Sequence, residues 1–298
     1  ERAMLAVVQE AYVAGVSTRR VEDLVEALGV EGISKSQVSR ICAALDAEVE
    51  AFRGLSLAGE AYPYLWLDAT YVKVREGGRV VNMAALVAIG VSMSGDRRVL
   101  GLDLAPGHTE GGAWPGFVRS LVERGLSGVR LVISDAHAGL VAAVHEQLLG
   151  ASWQRCRTHF ARNAGDLVPR SARRIVGTFV RSIFDQPDED AARAQLRLAV
   201  DGLEPRFPDV AELLTEAEAD LLVHFTFPVQ HRARIRSTNP LERLNKEIKR
   251  RTAVVGIFPT RQSLIRLVGM VLAEQDDEWQ DGRCYFRPES MALIDATD

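Results

Sequence analysis

Residues 64–75, YLWLDATYVKVR, alternate in side-chain character and are rich in the β-forming residues Tyr, Trp, Thr and Val. Because successive side chains of a strand point to opposite faces, this stretch predicts a β-strand. Residues 79–93 (RVVNMAALVAIGVSM) predict a longer, buried strand, and residues 97–106 (RRVLGLDLAP) predict a third. The segment SGDRR, between the last two, is a turn signal. We therefore expect three meandering strands.

The elements that follow extend this meander into a layered fold. A helix is expected at about residues 110–124, a short apolar strand at 129–136 (VRLVISDA) and a second helix through 138–150 (AGLVAAVHEQLLG). Three strands followed by helix, strand and helix predict an α/β fold with a mixed sheet. This order of elements is that of an RNase H-like fold.

The first part of the chain has a different pattern. Residues 1–53 predict three helices, the last of which begins at Ser34 with Gln37 in the capping-box position. Two short helices around a glycine-containing turn are typical of a helix-turn-helix-like unit. Lys35, Gln37 and Arg40 would then lie where such helices contact base edges and phosphates. A small helical bundle or an oligomerisation hairpin is the alternative interpretation.

The second half of the chain is mostly helical by pattern. Residues 157–235 are interrupted by prolines, and another helix begins near Pro240, a favoured residue for a first helical turn. Two basic blocks, 154–181 and 231–251, bracket an acidic stretch. We predict four segments along the chain: a helical DNA-binding or dimerisation domain (1–58), the first part of a catalytic core (59–156), an all-helical insertion (157–236) and the final helices of the core (237–298).

Composition limits the class of protein. The net charge of −4 does not indicate a nucleic-acid-binding protein, so any such signal must be local. Three widely spaced cysteines form no disulfide framework and fit a reducing cytoplasm. No apolar run approaches the roughly 20 residues that cross a bilayer. The chain begins with Glu1 inside a helical pattern, so we expect a further segment before it.

Two aspartates occupy positions that call for an explanation. Asp68 lies in the middle of a predicted strand, where Asp is disfavoured, and Asp135 ends another strand, where ligands of open α/β sheets gather. Asp68 could instead be a hydrogen-bonded core residue and Asp135 a helix cap. On the first and fourth strands of this order the two would lie side by side, and close carboxylates repel unless a cation lies between them. The pair therefore indicates Mg²⁺, which prefers carboxylate oxygen and water.

A third ligand must come from elsewhere in the chain. Glu242, in the late basic helix, is the natural candidate, and Glu247 is its rival. The two are five residues apart, about 140° around a helix, so they cannot both point at the same ions. Glu247 is expected to pair with Arg243 or Arg251 at helical spacing.

Four segments give a more specific indication: WLDATYVKVR, VISDAHAGL, WQRCRTHFARN and STNPLERLNKEIKRR, in this order. Together they closely resemble the bacterial insertion-sequence transposases of the Mutator superfamily, and the stretches AYVAGVSTRRVEDLVEALG and EWQDGRCYF extend the resemblance over almost the whole chain. The resemblance implies a DDE transposase with an RNase H-like core and an all-helical insertion before the final acid. It also implies that Asp68, Asp135 and Glu242 are the catalytic, metal-binding carboxylates, which would hold two Mg²⁺ ions, with Mn²⁺ able to substitute.

Cys156 and His159 form a C-x₂-H spacing in the third of these segments. Alone this is half of a structural zinc site, since such sites need four ligands; His224 and His231 could supply the others, but their spacing is not typical of a zinc site. We therefore expect no zinc. The resemblance implies instead that the pair marks the junction between the core and the insertion.

Several further residues are candidates for contact with DNA. Trp153 is either a core residue or a stacking platform for an unpaired base, and His137 is either a contact to the scissile phosphate or an ordinary histidine at a helix start. Phosphate contacts, which give salt-dependent affinity rather than sequence readout, are expected from basic side chains. These are Arg155, Arg157, Arg243, Lys246, Lys249 and Arg250.

The resemblance implies an enzyme of DNA transposition. It would bind terminal inverted repeats, free a 3′-OH end by hydrolysis and join that end to target DNA by transesterification. Its partners would be double-stranded DNA and further copies of itself, as a dimer or larger, in the bacterial cytoplasm at the nucleoid and not in a membrane. The alternatives are an RNase H-like nuclease or resolvase that cuts without joining, and a non-enzymatic DNA-binding regulator.

Overall fold

The computed structural model describes residues 2–16, 20–21 and 35–294. The strands of this part of the chain are β1 (Tyr64–Glu76), β2 (Arg79–Val91), β3 (Arg97–Pro106), β4 (Leu131–Ser134) and β5 (Ser152–Arg155). They form a five-stranded sheet in the order β3-β2-β1-β4-β5. β1 pairs antiparallel with β2, and β2 with β3, whereas β4 is parallel to β1 and β5 is parallel to β4. The predicted α/β fold with a mixed sheet is confirmed.

The three predicted strands of the meander are present, and the turn between β2 and β3 is built around a glycine. Gly95 has a φ of +88°, and a Cβ placed there would lie 2.1 Å from the carbonyl oxygen of Phe286. β5 was not predicted. It has only four residues, Ser152–Arg155, without a clear alternation, and it is held in the sheet by pairing with β4.

The described helices surround this sheet. They are α1 (Arg2–Val13), α2 (Lys35–Ala43), α3 (Leu45–Arg53), α4 (Glu110–Glu123), α5 (Ala138–Gln147), α6 (Arg157–Asp166), α7 (Arg173–Phe184), α8 (Glu189–Leu203), α9 (Pro208–Leu222), α10 (Val229–Ile235), α11 (Asn239–Thr252), α12 (Arg261–Gln280) and α13 (Pro288–Met291). Short 3₁₀ turns lie at Gly107–Thr109 and Val223–Thr226. No helix in the described ranges is long and apolar enough to span a membrane.

Alternate residues of β1 supply two different cores. Trp66 shares a buried cluster with Leu244 of α11 and with several residues of α12. Leu67 belongs to a second cluster, with α4 and α5, on the opposite face. Since side chains alternate along a strand, Asp68 lies on the same face as Trp66 and therefore faces α11.

Helices α6 to α9 and the 3₁₀ turn at Val223–Thr226 have a core of their own, which runs from Phe160 to Phe225. Gln154 of β5 joins this helical segment to the sheet, because its side chain donates to the carbonyl of Leu221 at 2.9 Å and accepts from the backbone N–H of His224 at 2.7 Å. The helical character predicted for residues 157–235 agrees with these elements. The domain limits 1–58, 59–156, 157–236 and 237–298 remain predictions.

The first helices pack against α12. Arg266 of α12 forms two hydrogen bonds with the carboxylate of Asp46 in α3, at 2.6 and 2.9 Å. The helix predicted to run unbroken from Ser34 is divided at Ala44, whose N–H donates to the carbonyl of Ile41 at 3.2 Å and so tightens the chain between α2 and α3. The second of the three helices predicted within residues 1–53 lies largely outside the described residues. The helix-turn-helix unit therefore stays a prediction.

Candidate active site

Asp68 lies in the middle of β1, on the face covered by α11. Its side chain is 9% exposed. One carboxylate oxygen, Oδ1, accepts the N–H of Ala69 at 2.9 Å, and the other, Oδ2, accepts the side-chain amide of Asn245 at 2.9 Å. The carboxylate is therefore held in place from its own strand and from the helix above it.

Asp135 follows the last residue of β4. This strand is parallel to β1 with Trp66 opposite Ile133, so two residues further along the same register Asp68 and Asp135 are level with each other. Oδ1 of Asp135 accepts the backbone N–H of His137 at 3.3 Å, at the start of α5. The two aspartates thus lie side by side on neighbouring strands, as the sequence predicts.

Glu242 reaches this pair from the first turn of α11. The loop before α11 is attached to the sheet at two points: Trp66 Nε1 donates to the carbonyl of Ser237 at 3.1 Å, and the N–H of Thr238 donates to Sγ of Cys156 at 3.2 Å. The N–H of Glu242 in turn donates to the carbonyl of Thr238 at 2.9 Å. These contacts place the start of α11, and with it Glu242, over β1.

The electrostatics of Asp68 reflect its burial and the charges of nearby acids. The pKa of Asp68 is raised to about 6, mainly by burial; the charges of Asp135 and Glu242 act in the same direction, against the opposing effects of His159 and of the N–H of Ala69. Oε1 of Glu242 is buried and has no hydrogen-bond partner. The site is therefore negatively charged and partly shielded from water, and it contains one carboxylate oxygen without a hydrogen-bond partner.

A divalent cation fits this site in chemistry and charge. Carboxylate oxygens are the ligands that Mg²⁺ prefers, and a cation would offset the repulsion that raises the pKa of Asp68. It would also satisfy the buried Oε1 of Glu242. As the side chains of the described residues stand, no three His, Cys, Asp or Glu form a group that could hold a metal ion.

Asn245 is a site residue that sequence reasoning missed. It follows Glu242 by three residues, so the two lie on one face of α11. Its Nδ2 donates to Asp68, while its Oδ1 is buried without a partner. The i, i+3 spacing from the predicted acid was the available signal, but an asparagine at this spacing is common on helices and has no meaning until a partner is seen.

Glu247, the rival acid, points elsewhere. Its carboxylate accepts from Arg250 at 2.6 and 2.8 Å and from Arg251 at 2.7 Å. The hydrogen bonds from Arg250, and then those from Arg251, lower the pKa of Glu247 to about 2 against the effect of burial. The predicted pairing with Arg251 is present, and Glu247 belongs to a surface ion-pair network rather than to the group around Asp68.

Cys156 and His159 stand at the start of α6, next to the site. Burial acts to raise the pKa of the Cys156 thiol, but the hydrogen bond and charge of His159 outweigh it and the pKa is lowered. The hydrogen bond to Cys156 raises the pKa of His159 to about 9. The two histidines that could complete a set of zinc ligands contact other residues: His224 lies against Gln154, and His231 forms a hydrogen bond with Tyr64 at 2.7 Å. Cys156 joins the end of β5 to the loop before α11, because its Sγ accepts the N–H of Thr238.

The candidate DNA contacts of the core fall into two groups. Trp153 is 7% exposed and donates from Nε1 to Oγ of Ser134 at 2.9 Å, within the core shared with α4 and α5. This burial favours the core interpretation over base stacking. His137 precedes α5 and its Nδ1 is buried without a partner. Arg155 and Arg157 are half-buried, with their guanidinium groups 4.9 Å from the Phe160 ring and 5.8 Å from the Phe184 ring respectively.

The other candidates are more accessible. Arg243, Lys246 and Lys249 are exposed on α11. Arg250 is also exposed but is paired with Glu247. In the N-terminal helices Arg40 is exposed, whereas the side chains of Lys35 and Gln37 lie outside the part of the chain that the structure describes. The helix that carries Glu242 therefore presents free positive charge beside it.

Known proteins resemble this chain over most of its length. A family model described as transposase, Mutator family, matches residues 1–282. The chain is 52% identical over 291 residues to the transposase for insertion sequence element IS1081 of Mycobacterium tuberculosis, with 98% of this chain and 70% of the relative covered. It is 46% identical over 288 residues to the transposase for insertion sequence element IS406 of Burkholderia multivorans, covering 96% of this chain and 74% of the relative.

A third relative is more distant. The transposase for insertion sequence element IS256 in transposon Tn4001 of Staphylococcus aureus is 40% identical over 283 residues, which cover 94% of this chain and 72% of the relative. The match thus extends from the N-terminal helices through the sheet to α12 and is not confined to the carboxylates. The family model and the relatives together show that this chain belongs to the Mutator family of transposases.

Proposed function

We propose that this chain is a DDE transposase that binds transposon terminal inverted repeats, cleaves DNA at those ends by hydrolysis and joins the freed 3′-OH ends to target DNA by transesterification. One observation carries the proposal. Three carboxylates from distant parts of the chain, Asp68, Asp135 and Glu242, come to neighbouring positions of the fold: Asp68 and Asp135 at one level of adjacent strands, and Glu242 in the first turn of the helix that covers β1. Burial, together with the charges of Asp135 and Glu242, raises the pKa of Asp68, as is common at functional sites, and metal-dependent phosphoryl transfer is the use of such carboxylates that this family indicates.

The three carboxylates would hold two Mg²⁺ ions, with Mn²⁺ able to replace them. When bound, these cations supply Lewis-acid stabilisation of the attacking and leaving oxygens of the phosphodiester. The protein side chains supply position. Asn245 and the N–H of Ala69 hold the carboxylate of Asp68, and the contacts of Ser237 and Thr238 hold the start of α11 over β1. No covalent nucleophile from the protein is required, because water and then the 3′-OH attack.

The same helix would bring the DNA to the carboxylates. Arg243, Lys246 and Lys249 are exposed on α11 next to Glu242, where they offset the repulsion between phosphates and the acids. The order of the sheet, with helices on both faces, supports an RNase H-like core. The N-terminal helices would contribute end recognition. We expect a homodimer or a larger assembly to act, because two ends must be held together.

The experiment compares two glutamates of one helix. The wild-type protein is incubated with Mg²⁺, labelled DNA from the flanks of its own coding sequence and a plasmid target. Wild-type protein should give joined products. Glu242→Gln should bind end DNA but neither cleave nor join it, whereas the matched variant Glu247→Gln should retain both activities because its carboxylate pairs with Arg250 and Arg251.

Each outcome has a clear meaning. The assignment of the third carboxylate would be contradicted if Glu242→Gln still cleaves DNA, or if Glu247→Gln is the variant that loses cleavage while Glu242→Gln retains it. Nicked DNA without joined products from the wild-type protein would identify a nuclease or resolvase. Binding without cleavage by the wild-type protein in either Mg²⁺ or Mn²⁺ would identify a DNA-binding regulator.

A further inference from the structure

Two arginines from separate elements lie against aromatic side chains of the C-terminal segment, and a third, Arg243 of α11, is close enough for its charge to act on one of them. The guanidinium carbon of Arg97, at the start of β3, lies 3.6 Å from the ring centroid of Trp279 and 4.9 Å from that of Tyr285. The guanidinium carbon of Arg234, in α10, lies 4.8 Å from the same Tyr285 ring. Both guanidinium groups therefore lie against the same Tyr285 ring, and the distance between their central carbons cannot exceed the sum of their two distances to its centroid.

The third arginine is Arg243, the residue after Glu242. Burial first, and then the charges of Arg243 and Arg234, lower the pKa of Arg97 to about 10. Burial raises the pKa of Tyr285, against the effect of these three positive charges. The four side chains thus form one group, in which like charges repel one another.

This group lacks the acids that arginines elsewhere in the chain have. Within the described ranges, none of the three forms an ion pair with a carboxylate. By contrast, Arg98, next to Arg97, pairs with Asp276 at 3.1 Å, and Arg250, on the same helix as Arg243, pairs with Glu247 at 2.6 Å. Nε of Arg97 is buried and has no hydrogen-bond partner. The group is an uncompensated positive site.

The rings hold the site in shape. Tyr285 and Phe286 both donate their backbone N–H to the carbonyl of Gly95, at 2.8 and 3.1 Å, which attaches the C-terminal segment to the turn before β3. Tyr285 also packs edge-on against Trp66, with the ring centroids 5.9 Å apart. A guanidinium stacked on a ring uses its face for that contact and keeps its N–H edge available for two hydrogen bonds to a phosphate.

We propose that Arg97, Arg234 and Arg243, arranged around Tyr285 and Trp279, form a phosphate-binding site for the backbone of double-stranded DNA. The inference rests on the proposed function, because a transposase binds the DNA whose phosphates this site would contact. It explains why EWQDGRCYF, which contributes both rings, accompanies the carboxylate segments in this chain. Arg243 connects the site to Glu242, so DNA bound here continues toward the carboxylates along α11.

The test measures DNA affinity as a function of salt for Arg234→Gln, with Arg197→Gln as the matched control. Both arginines are exposed, and Arg197 lies in α8, far along the chain from the aromatic group. Fluorescence anisotropy is recorded separately with transposon-end DNA and with target DNA that lacks an end. Loss of one phosphate contact should reduce the slope of log affinity against log salt by about 0.9 relative to the wild-type protein and to Arg197→Gln.

The two DNA arms identify the source of the phosphate. If the slope is reduced only with end DNA, the site binds the transposon end. If it is reduced only with target DNA, the site binds the target. If it is reduced with both, the site binds either duplex. Because Arg97 is half-buried, its variant is used only if its melting temperature matches that of the wild-type protein. An unchanged affinity and slope with both DNAs for Arg234→Gln and Arg243→Gln would overturn the site. If the wild-type protein still joins ends in that case, the proposed function stands without it.

Discussion

Replacing Asp68 with asparagine should make the metal-free protein more stable at neutral pH, although it removes a carboxylate assigned to catalysis. Burial raises the pKa of Asp68 from 3.8 to about 6. Between these two pH values the unfolded chain has released the proton and the folded chain still binds it. Stability therefore falls as pH rises through this window, and the loss is complete above about pH 6.

The size of this loss follows from the same values. The difference between 3.8 and about 6, at about 1.4 kcal/mol for each pH unit, corresponds to about 3 kcal/mol. Asparagine has nearly the same shape but never ionises, so Asp68→Asn avoids the loss. Its carbonyl oxygen can still accept one of the two hydrogen bonds that Asp68 receives from Ala69 and Asn245.

The assay is urea unfolding followed by tryptophan fluorescence, in the presence of a chelator, at pH 8 and at pH 4. Asp68→Asn should be more stable than the wild-type protein by about 3 kcal/mol at pH 8, and by much less at pH 4. Asp201→Asn, on the exposed surface of α8, should differ from the wild-type protein by less than about 0.5 kcal/mol at either pH. An advantage of Asp68→Asn that is equal at both pH values, or a loss of stability at pH 8, would refute the reasoning.

Two further predictions concern residues whose roles the structure defines. Asn245→Ala removes the donor that holds Asp68, so DNA cleavage should fall by about 10- to 100-fold while affinity for end DNA, measured by anisotropy, changes by less than about twofold; unchanged cleavage would contradict a positioning role. Trp153→Phe removes the hydrogen bond to Ser134 inside the core, so the free energy of unfolding should fall by about 1–3 kcal/mol with no change in DNA affinity. Loss of DNA affinity in a stable Trp153→Phe protein would restore the stacking interpretation.

The sequence was informative where the signal is local. The alternation of β1, the apolar run of β2 and the turn at Gly95 predict the meander, and proline near the start of α11 marks that helix. Asp68 was recognised because an acid in the middle of a strand needs an explanation. β5 was not predicted, because four residues carry too little periodicity and its pairing partner β4 is distant in the sequence.

What the sequence by itself determined was the order of elements, the family resemblance and the identity of the candidate acids. Each of these depends on residue types and spacings within short segments. Only the tertiary structure decided which side chains meet. Asn245 donates a hydrogen bond to Asp68, Glu247 accepts from Arg250 and points away from the site, and Trp153 is buried in the core. The physical reason is that burial, a shifted pKa and an unpaired charge are properties of a neighbourhood. That neighbourhood is assembled from β1, β4 and α11, which are distant in the chain and come together only when it folds.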